Sequence, residues 1–176
     1  MNVEQALRQV IRDVPDFPKP GIVFKDISTI MLDPELSNQV LDTLVEAYKN
    51  TALDVVAGVE SRGFLFGYAL AMRLNKPFVL IRKKGKLPYH KVSYDYALEY
   101  GEATIEMHVD AIQPGQKVLI HDDLLATGGS ADAAAELIKT CGGEIAGFNF
   151  LVSLDFLQGE ERLKKHSSNI LNLVRF

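Results

Sequence analysis

Val3, Leu7, Val10 and Ile11 recur at helical spacing, so the chain is predicted to open with an amphipathic helix. The stretch Val14-Pro15-Asp16-Phe17-Pro18-Lys19-Pro20-Gly21 carries too many prolines to continue it and predicts an ordered loop. Asp33-Pro34-Glu35 then reads as an N-cap followed by proline at the first helical position. Leu36, Val40, Leu41, Leu44, Val45 and Tyr48 supply that helix with its apolar face.

From there short apolar runs alternate with helical segments. Strands are predicted at 55–59, 77–81, 117–120 and 145–152, with helices at 64–74 and 130–140, the second ended by Gly142-Gly143. Continuous apolar strands separated by helices indicate right-handed βαβ units and a parallel sheet covered on both faces. The fold class is α/β, a mainly parallel sheet flanked by helices. Residues 84–108 break the alternation. Val92 to Leu98 and Ala103 to Val109 read as two antiparallel strands with Gly101 near the turn, a long excursion of the kind that forms a lid or binding loop.

Composition narrows the class. The 176 residues fit one domain of 1–176, and 47% hydrophobic content suits a packed core rather than a disordered chain. No apolar run is long enough to span a bilayer, and the N-terminus lacks the basic-then-apolar pattern of a signal peptide. Cys141, the single cysteine, can form neither an internal disulfide nor a cysteine metal cluster. A net charge of −4 argues against broad nucleic-acid or membrane-surface binding, although a local basic loop can still grip a small anion. A cytoplasmic protein is the expectation.

The chemistry concentrates in Val118-Leu119-Ile120-His121-Asp122-Asp123-Leu124-Leu125-Ala126-Thr127-Gly128-Gly129-Ser130. An apolar strand ends in two carboxylates, and a small-residue loop then opens a helix. Backbone amides of that loop, the Thr127 and Ser130 hydroxyls and the helix dipole favour an anion. The two acids would repel a bare phosphate, but they suit a ligand that also carries vicinal hydroxyls or a divalent cation. A phosphorylated sugar satisfies both halves; the bland alternative is a tight strand-to-helix turn with solvated acids. Glu60-Ser61-Arg62-Gly63 also joins a strand to a helix and can hold an anion. Arg82-Lys83-Lys84-Gly85-Lys86 is a dense basic cluster, either a solvated face or an anion site. His121 is either a satisfied histidine at a strand end or a catalytic group, and Phe24 either core or a stacking face.

The thirteen-residue string resembles the 5-phosphoribosyl-1-pyrophosphate (PRPP) motif of type I phosphoribosyltransferases. Its Asp-Asp-Leu-Leu-Ala-Thr-Gly-Gly form resembles the adenine phosphoribosyltransferase family in particular. Four further segments match that family in order: Phe17-Pro18 through Pro20-Gly21-Ile22-Val23-Phe24-Lys25-Asp26-Ile27-Ser28, Glu60-Ser61-Arg62-Gly63-Phe64, Arg82 to Pro88, and Leu98-Glu99-Tyr100-Gly101.

The resemblance implies a type I phosphoribosyltransferase fold with an N-terminal hood (1–33) and a β-hairpin lid (84–108). It implies the reaction adenine + PRPP = AMP + diphosphate, in purine salvage. Asp122 and Asp123 would contact the ribose hydroxyls, and Ala126, Thr127, Gly128, Gly129 and Ser130 the 5-phosphate. Glu60, Ser61 and Arg62 would form the pyrophosphate loop, helped by Arg82, Lys83 and Lys86. Val23, Phe24, Lys25, Leu124 and Tyr100 would hold adenine, and Glu99 would act with Arg62 in catalysis, as acid/base at N7. Mg²⁺ would be carried by PRPP and water rather than by a dedicated protein ligand, and the chain would form a homodimer. The sequence departs from the family pattern at Lys25 (often Arg), Glu60 (commonly Asp), His121 (usually aliphatic) and Ser130 (often Thr). Three rivals are a transferase for hypoxanthine, guanine or xanthine, a non-catalytic PRPP-binding regulator, and a structural α/β module with no ligand.

Overall fold

Asn2 starts the first helix by accepting the Gln5 amide proton at 2.8 Å, and Gln5 reaches back to the Asn2 amide. In the computed structural model, which describes residues 2–97 and 102–176, this helix is α1 (Val3–Val10). The chain divides into two compact units, Met1–Tyr48 and Lys49–Phe176.

In the first unit β1 (Arg12–Pro15) pairs antiparallel with β2 (Val23–Asp26), placing Val14 opposite Phe24. Val14 and Pro15 therefore belong to a strand, not to the predicted loop. The ladder with β2 extends to them, and a proline is tolerated at the last position of an edge strand. The intervening turn contains a cis Phe17–Pro18 bond. It is closed by the Gly21 amide donating to Asp16 Oδ1 at 2.8 Å. The Phe17 and Phe24 rings meet edge to face at 5.2 Å. A single-turn α2 (Ser28–Met31) leads to α3 (Pro34–Tyr48), where Asp33 Oδ1 accepts the Glu35 and Leu36 amides, both at 3.0 Å. Because α3 packs on α1 and α2, this unit extends to Tyr48, past the hood limit at residue 33.

The second unit is built on a seven-stranded sheet. Its elements are β3 (Val55–Val59), α4 (Gly63–Arg73), β4 (Phe78–Lys83), β5 (Lys91–Ala97), β6 (Glu102–His108), β7 (Lys117–Leu125), α5 (Gly129–Thr140), β8 (Glu144–Ser153), α6 (Gly159–Leu163) and β9 (Ile170–Arg175). The strand order is β5-β6-β4-β3-β7-β8-β9. Strands β4, β3, β7, β8 and β9 run parallel, while β6 joins β4 and β5 joins β6 antiparallel. All five residues of β3 are buried, as a strand covered on both faces requires. Ala57, Val59, Val118 and Ile120 lie in one core with Ala134, Leu137 and Ile138 of α5. Gly58 and His121 point instead toward Phe78 and the α4 side.

The α/β reading and the parallel sheet hold. Three boundaries move in ways that matter for the site. β4 continues through Arg82 and Lys83, which pair with Glu106 and Ile105 of β6. β7 continues through the acid pair to Leu125, because β8 keeps offering ladder partners as far as Ser153. The antiparallel hairpin begins one residue earlier than expected. The α6–β9 segment had no counterpart in the sequence reading. Leu98, Glu99, Tyr100 and Gly101, including the predicted acid/base and the hairpin turn, lie outside the described residues.

Candidate functional site

The site forms at the carboxyl ends of β3, β4 and β7, where parallel sheets place their loops and helix N-termini. At the end of β3, the Glu60–Ser61 peptide bond is cis. Glu60 Oε2 accepts the Lys83 amide at 2.9 Å and pairs with Arg82 Nε at 3.2 Å. Burial alone would raise the Glu60 pKa; the Lys83 amide and Arg82 overcome it and hold the carboxyl below its ordinary value. Arg82 also donates through Nη1 to the Lys86 carbonyl at 2.9 Å. Arg82 is thus committed to shaping the basic turn, while Lys83 and Lys86 are exposed. Buried Glu106 anchors the same turn by accepting the Gly85 amide at 2.9 Å and pairing with Lys91 at 3.2 Å.

One residue beyond Ser61, Arg62 pairs through Nε with Asp123 Oδ2 at 2.9 Å, tying the β3 turn to the end of β7. Gly63 makes that approach possible: a Cβ there would stand 2.9 Å from both Asp122 Oδ1 and the His121 carbonyl oxygen. Asp122 Oδ1 accepts the Asp123 amide at 2.9 Å. Desolvation, and then the neighbouring Asp123 charge, push the Asp122 pKa well above its ordinary value. Burial also raises Asp123, against the opposing pull of Arg62. Two acids that resist ionisation at a strand end are poised for a ligand that offers hydroxyl donors or brings a cation.

β7 then opens into the glycine loop. Gly128 takes the left-handed conformation (φ 78°) and leads into α5. Asp122, Leu124, Ala126, Thr127, Gly128, Gly129 and Ser130 line one cavity of about 430 Å³, so the sugar and phosphate parts of the predicted set come together. Asp123 and Arg62 join this set through their ion pair. Glu60, Arg82, Lys83 and Lys86 form a distinct cluster at the end of β4. Val23, Phe24 and Lys25 lie on β2 of the first unit, where Lys25 pairs with Asp13 at 2.5 Å.

His121 is buried on the α4 side of β7, with Nδ1 bonded to Asn149 Oδ1. Burial lowers its pKa from 6.5 to about 4, partly offset by Asn149. The placement supports a core histidine, but mid-strand rather than at a strand end and only half satisfied, since among the described residues Nε2 has no hydrogen-bond partner.

Several neighbours escaped the sequence reading. Tyr96 of the hairpin meets Ser130 with its hydroxyl 3.3 Å from Ser130 Oγ. Ala97 and Arg162 line the same cavity as the glycine loop. Gly159, at the start of α6, presses on that loop so closely that a Cβ would drive into the Ala126 carbonyl. Only the Gln158-Gly159 turn signal was available locally; Arg162 sits in a charged run that reads as a solvated face.

Asp132, Glu136 and His166 also gather potential metal-ligating atoms within 4.8 Å of one another. Arg162 and Lys165 each already pair with Asp132 at 2.8 Å, and His166 Nε2 lies 2.7 Å from it. A carboxylate so surrounded by cations and donors is a poor fit for a divalent metal.

Comparison with known proteins places this geometry in a family. A phosphoribosyl transferase domain matches residues 34–175. The chain is 48% identical to the adenine phosphoribosyltransferase of Cytophaga hutchinsonii, over 99% of its own length and 96% of that protein's. The crystal structure of adenine phosphoribosyltransferase from Rhodothermus marinus superposes with a TM-score of 0.93 at 48% identity, covering 99% of this chain and 98% of that one. The Saccharomyces cerevisiae enzyme, crystallised with an imino-altritol bisphosphate and adenine, gives 0.90 at 39% identity, covering 97% and 98%. Full-length similarity at this level, with the acid pair and glycine loop joined in one cavity, shows that the chain belongs to the adenine phosphoribosyltransferase family.

Proposed function

We propose that this site transfers the phosphoribosyl group of PRPP to adenine, giving AMP and diphosphate, as in adenine salvage. The observation that carries the reading is the single cavity shared by Asp122 and the Ala126–Ser130 loop, with Asp123 locked to Arg62 beside it. The loop holds the 5-phosphate while the carboxylates accept the ribose hydroxyls. This fixes the anomeric carbon in place, which converts an encounter between two substrates into a positioned reaction.

The C1–O bond to diphosphate breaks as the C1–N9 bond forms, and adenine gives up its imidazole N–H proton to a base. Positive charge therefore builds on the ribosyl ring while negative charge leaves. Arg62 and the basic turn face that departing charge. Mg²⁺ entering with PRPP would supply further neutralisation of that charge. The family pattern assigns adenine binding to Val23, Phe24, Lys25, Leu124 and Tyr100, and the acid/base role at N7 to Glu99. Tyr96 bridging to Ser130 gives the hairpin a direct hold on the phosphate loop.

A cytoplasmic homodimer completes the proposal. Leu65, Tyr68 and Met72 of α4 and Leu80 of β4 are exposed, an apolar patch of the sort a second copy covers. Among the described residues no helix is long and apolar enough to cross a membrane.

The test is an assay of radiolabelled adenine, hypoxanthine and guanine with PRPP and Mg²⁺. AMP formed from adenine, with little nucleotide from the other bases, is expected. Nucleotide from hypoxanthine or guanine but not adenine would overturn the base assignment. No turnover with any base would favour a PRPP-binding regulator.

A further inference from the structure

We infer that Arg162 is a side-chain ligand of the sugar 5-phosphate, held for that purpose by Asp132. The inference rests on the transferase reading above and adds to it a residue from α6, outside the PRPP motif.

The placement comes from the way α6 seats on the loop. Gly159 abuts Ala126, and a Cβ on Gly128 would lie 2.7 Å from the Gly159 carbonyl oxygen. Arg162 follows Gly159 by three positions and so shares its helix face. That face is the one turned to the loop. Arg162 Nη1 lies 3.6 Å from where a Cβ on Gly129 would stand, and the side chain lines the same cavity as the loop.

Electrostatics gives the placement a purpose. A phosphate dianion in this cavity would be bound by neutral amides and hydroxyls while facing Asp122. Among the described residues lining the cavity, Arg162 is the sole cation. Its Nε is fixed by Asp132 Oδ2 at 2.8 Å, and among the described residues Nη1 and Nη2 make no hydrogen bond. Asp132 is itself braced from the other side, with Oδ1 lying 2.8 Å from Lys165 and 2.7 Å from His166. One edge of the guanidinium is therefore anchored and the other is left for the ligand. That division suits an arginine, whose planar fork can serve both partners at once.

The experiment measures binding of ribose 5-phosphate and of diphosphate to the full chain by calorimetry. A charge-assisted contact of this kind predicts that Arg162→Gln weakens ribose 5-phosphate about tenfold and leaves diphosphate within about twofold. Arg162→Lys, which keeps the charge but cannot serve Asp132 and the phosphate together, recovers part of the lost affinity. Unchanged ribose 5-phosphate binding in Arg162→Gln overturns the inference. So does an equal loss for both ligands, or a Lys variant as weak as the Gln one, since either places the effect in packing. If the wild-type chain binds no ribose 5-phosphate the inference also fails, and the base assay then decides separately whether the transferase reading survives.

Discussion

Asp122–Asp123 and Asp132 belong to the same strand–loop–helix segment, yet their environments drive their carboxyls in opposite directions. At the end of β7 burial raises both acids, the Asp123 charge raises Asp122 further, and Arg62 pairs with Asp123 alone. On α5, burial also acts on Asp132, but Lys165, His166 and Arg162 outweigh it and lower the pKa from 3.8 to about 2. The first pair is left in need of a partner; the second acid already has its partners. That contrast separates a ligand site from a structural brace more sharply than residue type does, because the same side chain serves both.

Removing a charge at each place should therefore have opposite consequences, and the largest effect is expected at the ligand side. Asp122→Asn is expected to lower kcat/KM for PRPP by about 100-fold or more, as loss of a buried charged contact to the substrate requires. The same change should raise Tm near neutral pH by about 2–4 °C. The sign follows from the raised pKa: an acid harder to ionise in the folded state costs stability as pH rises through its folded pKa, and asparagine removes that cost. Steady-state kinetics and thermal melts check the two halves. A lowered Tm would show that the folded state, rather than the ligand, satisfies Asp122.

An effect of similar size, but confined to acid pH, is expected from His121, the buried neighbour of that pair. Its pKa falls from 6.5 to about 4, so between those values the unfolded chain takes up a proton that the folded chain refuses. Stability should drop as pH falls across this window, by up to about 3 kcal/mol at its acid end. Urea unfolding of wild type and His121→Gln at pH 7 and 4.5 tests this. The variant should show a flatter dependence, and equal slopes would mean that His121 is protonated in place.

The sequence made the first half of the contrast legible and hid the second. Asp122, Asp123 and the glycine loop are contiguous, so strand, acids and phosphate cradle appear in one string whose spacing carries the chemistry. The brace on Asp132 is assembled from α6 and the residues after it, across a gap that β8 fills. Nothing local in Glu160-Glu161-Arg162-Leu163-Lys164-Lys165-His166 distinguishes inward charges from solvated ones. The strand limits of β4 and β7 failed for a related reason. Charged residues ended the apolar runs, but ladder partners on β6 and β8 carried the hydrogen bonding further. The β1–β2 hairpin was obscured by prolines at its turn, which mask a strand that needs only its edge positions paired.

The smallest of these effects should come from the brace itself. Asp132 is held below its unfolded pKa, so its contribution is fully present above about pH 4 and is lost as pH falls toward about 2. A shift of that size would be worth roughly 2 kcal/mol, but Lys165 and Arg162 reach the carboxylate from solvent, and screening reduces the value to about 1–2 kcal/mol. Asp132→Asn should therefore be less stable than wild type by that amount at pH 7, and the two should converge near pH 2. Turnover at saturating PRPP should change little, and ribose 5-phosphate affinity should fall less than in Arg162→Gln, because asparagine keeps an oxygen that can accept from Arg162 Nε. The result is the inverse of Asp122→Asn, stability lost with activity largely kept. A stability gap that persists undiminished to pH 2 would mean that Asp132 acts through packing rather than through its charge.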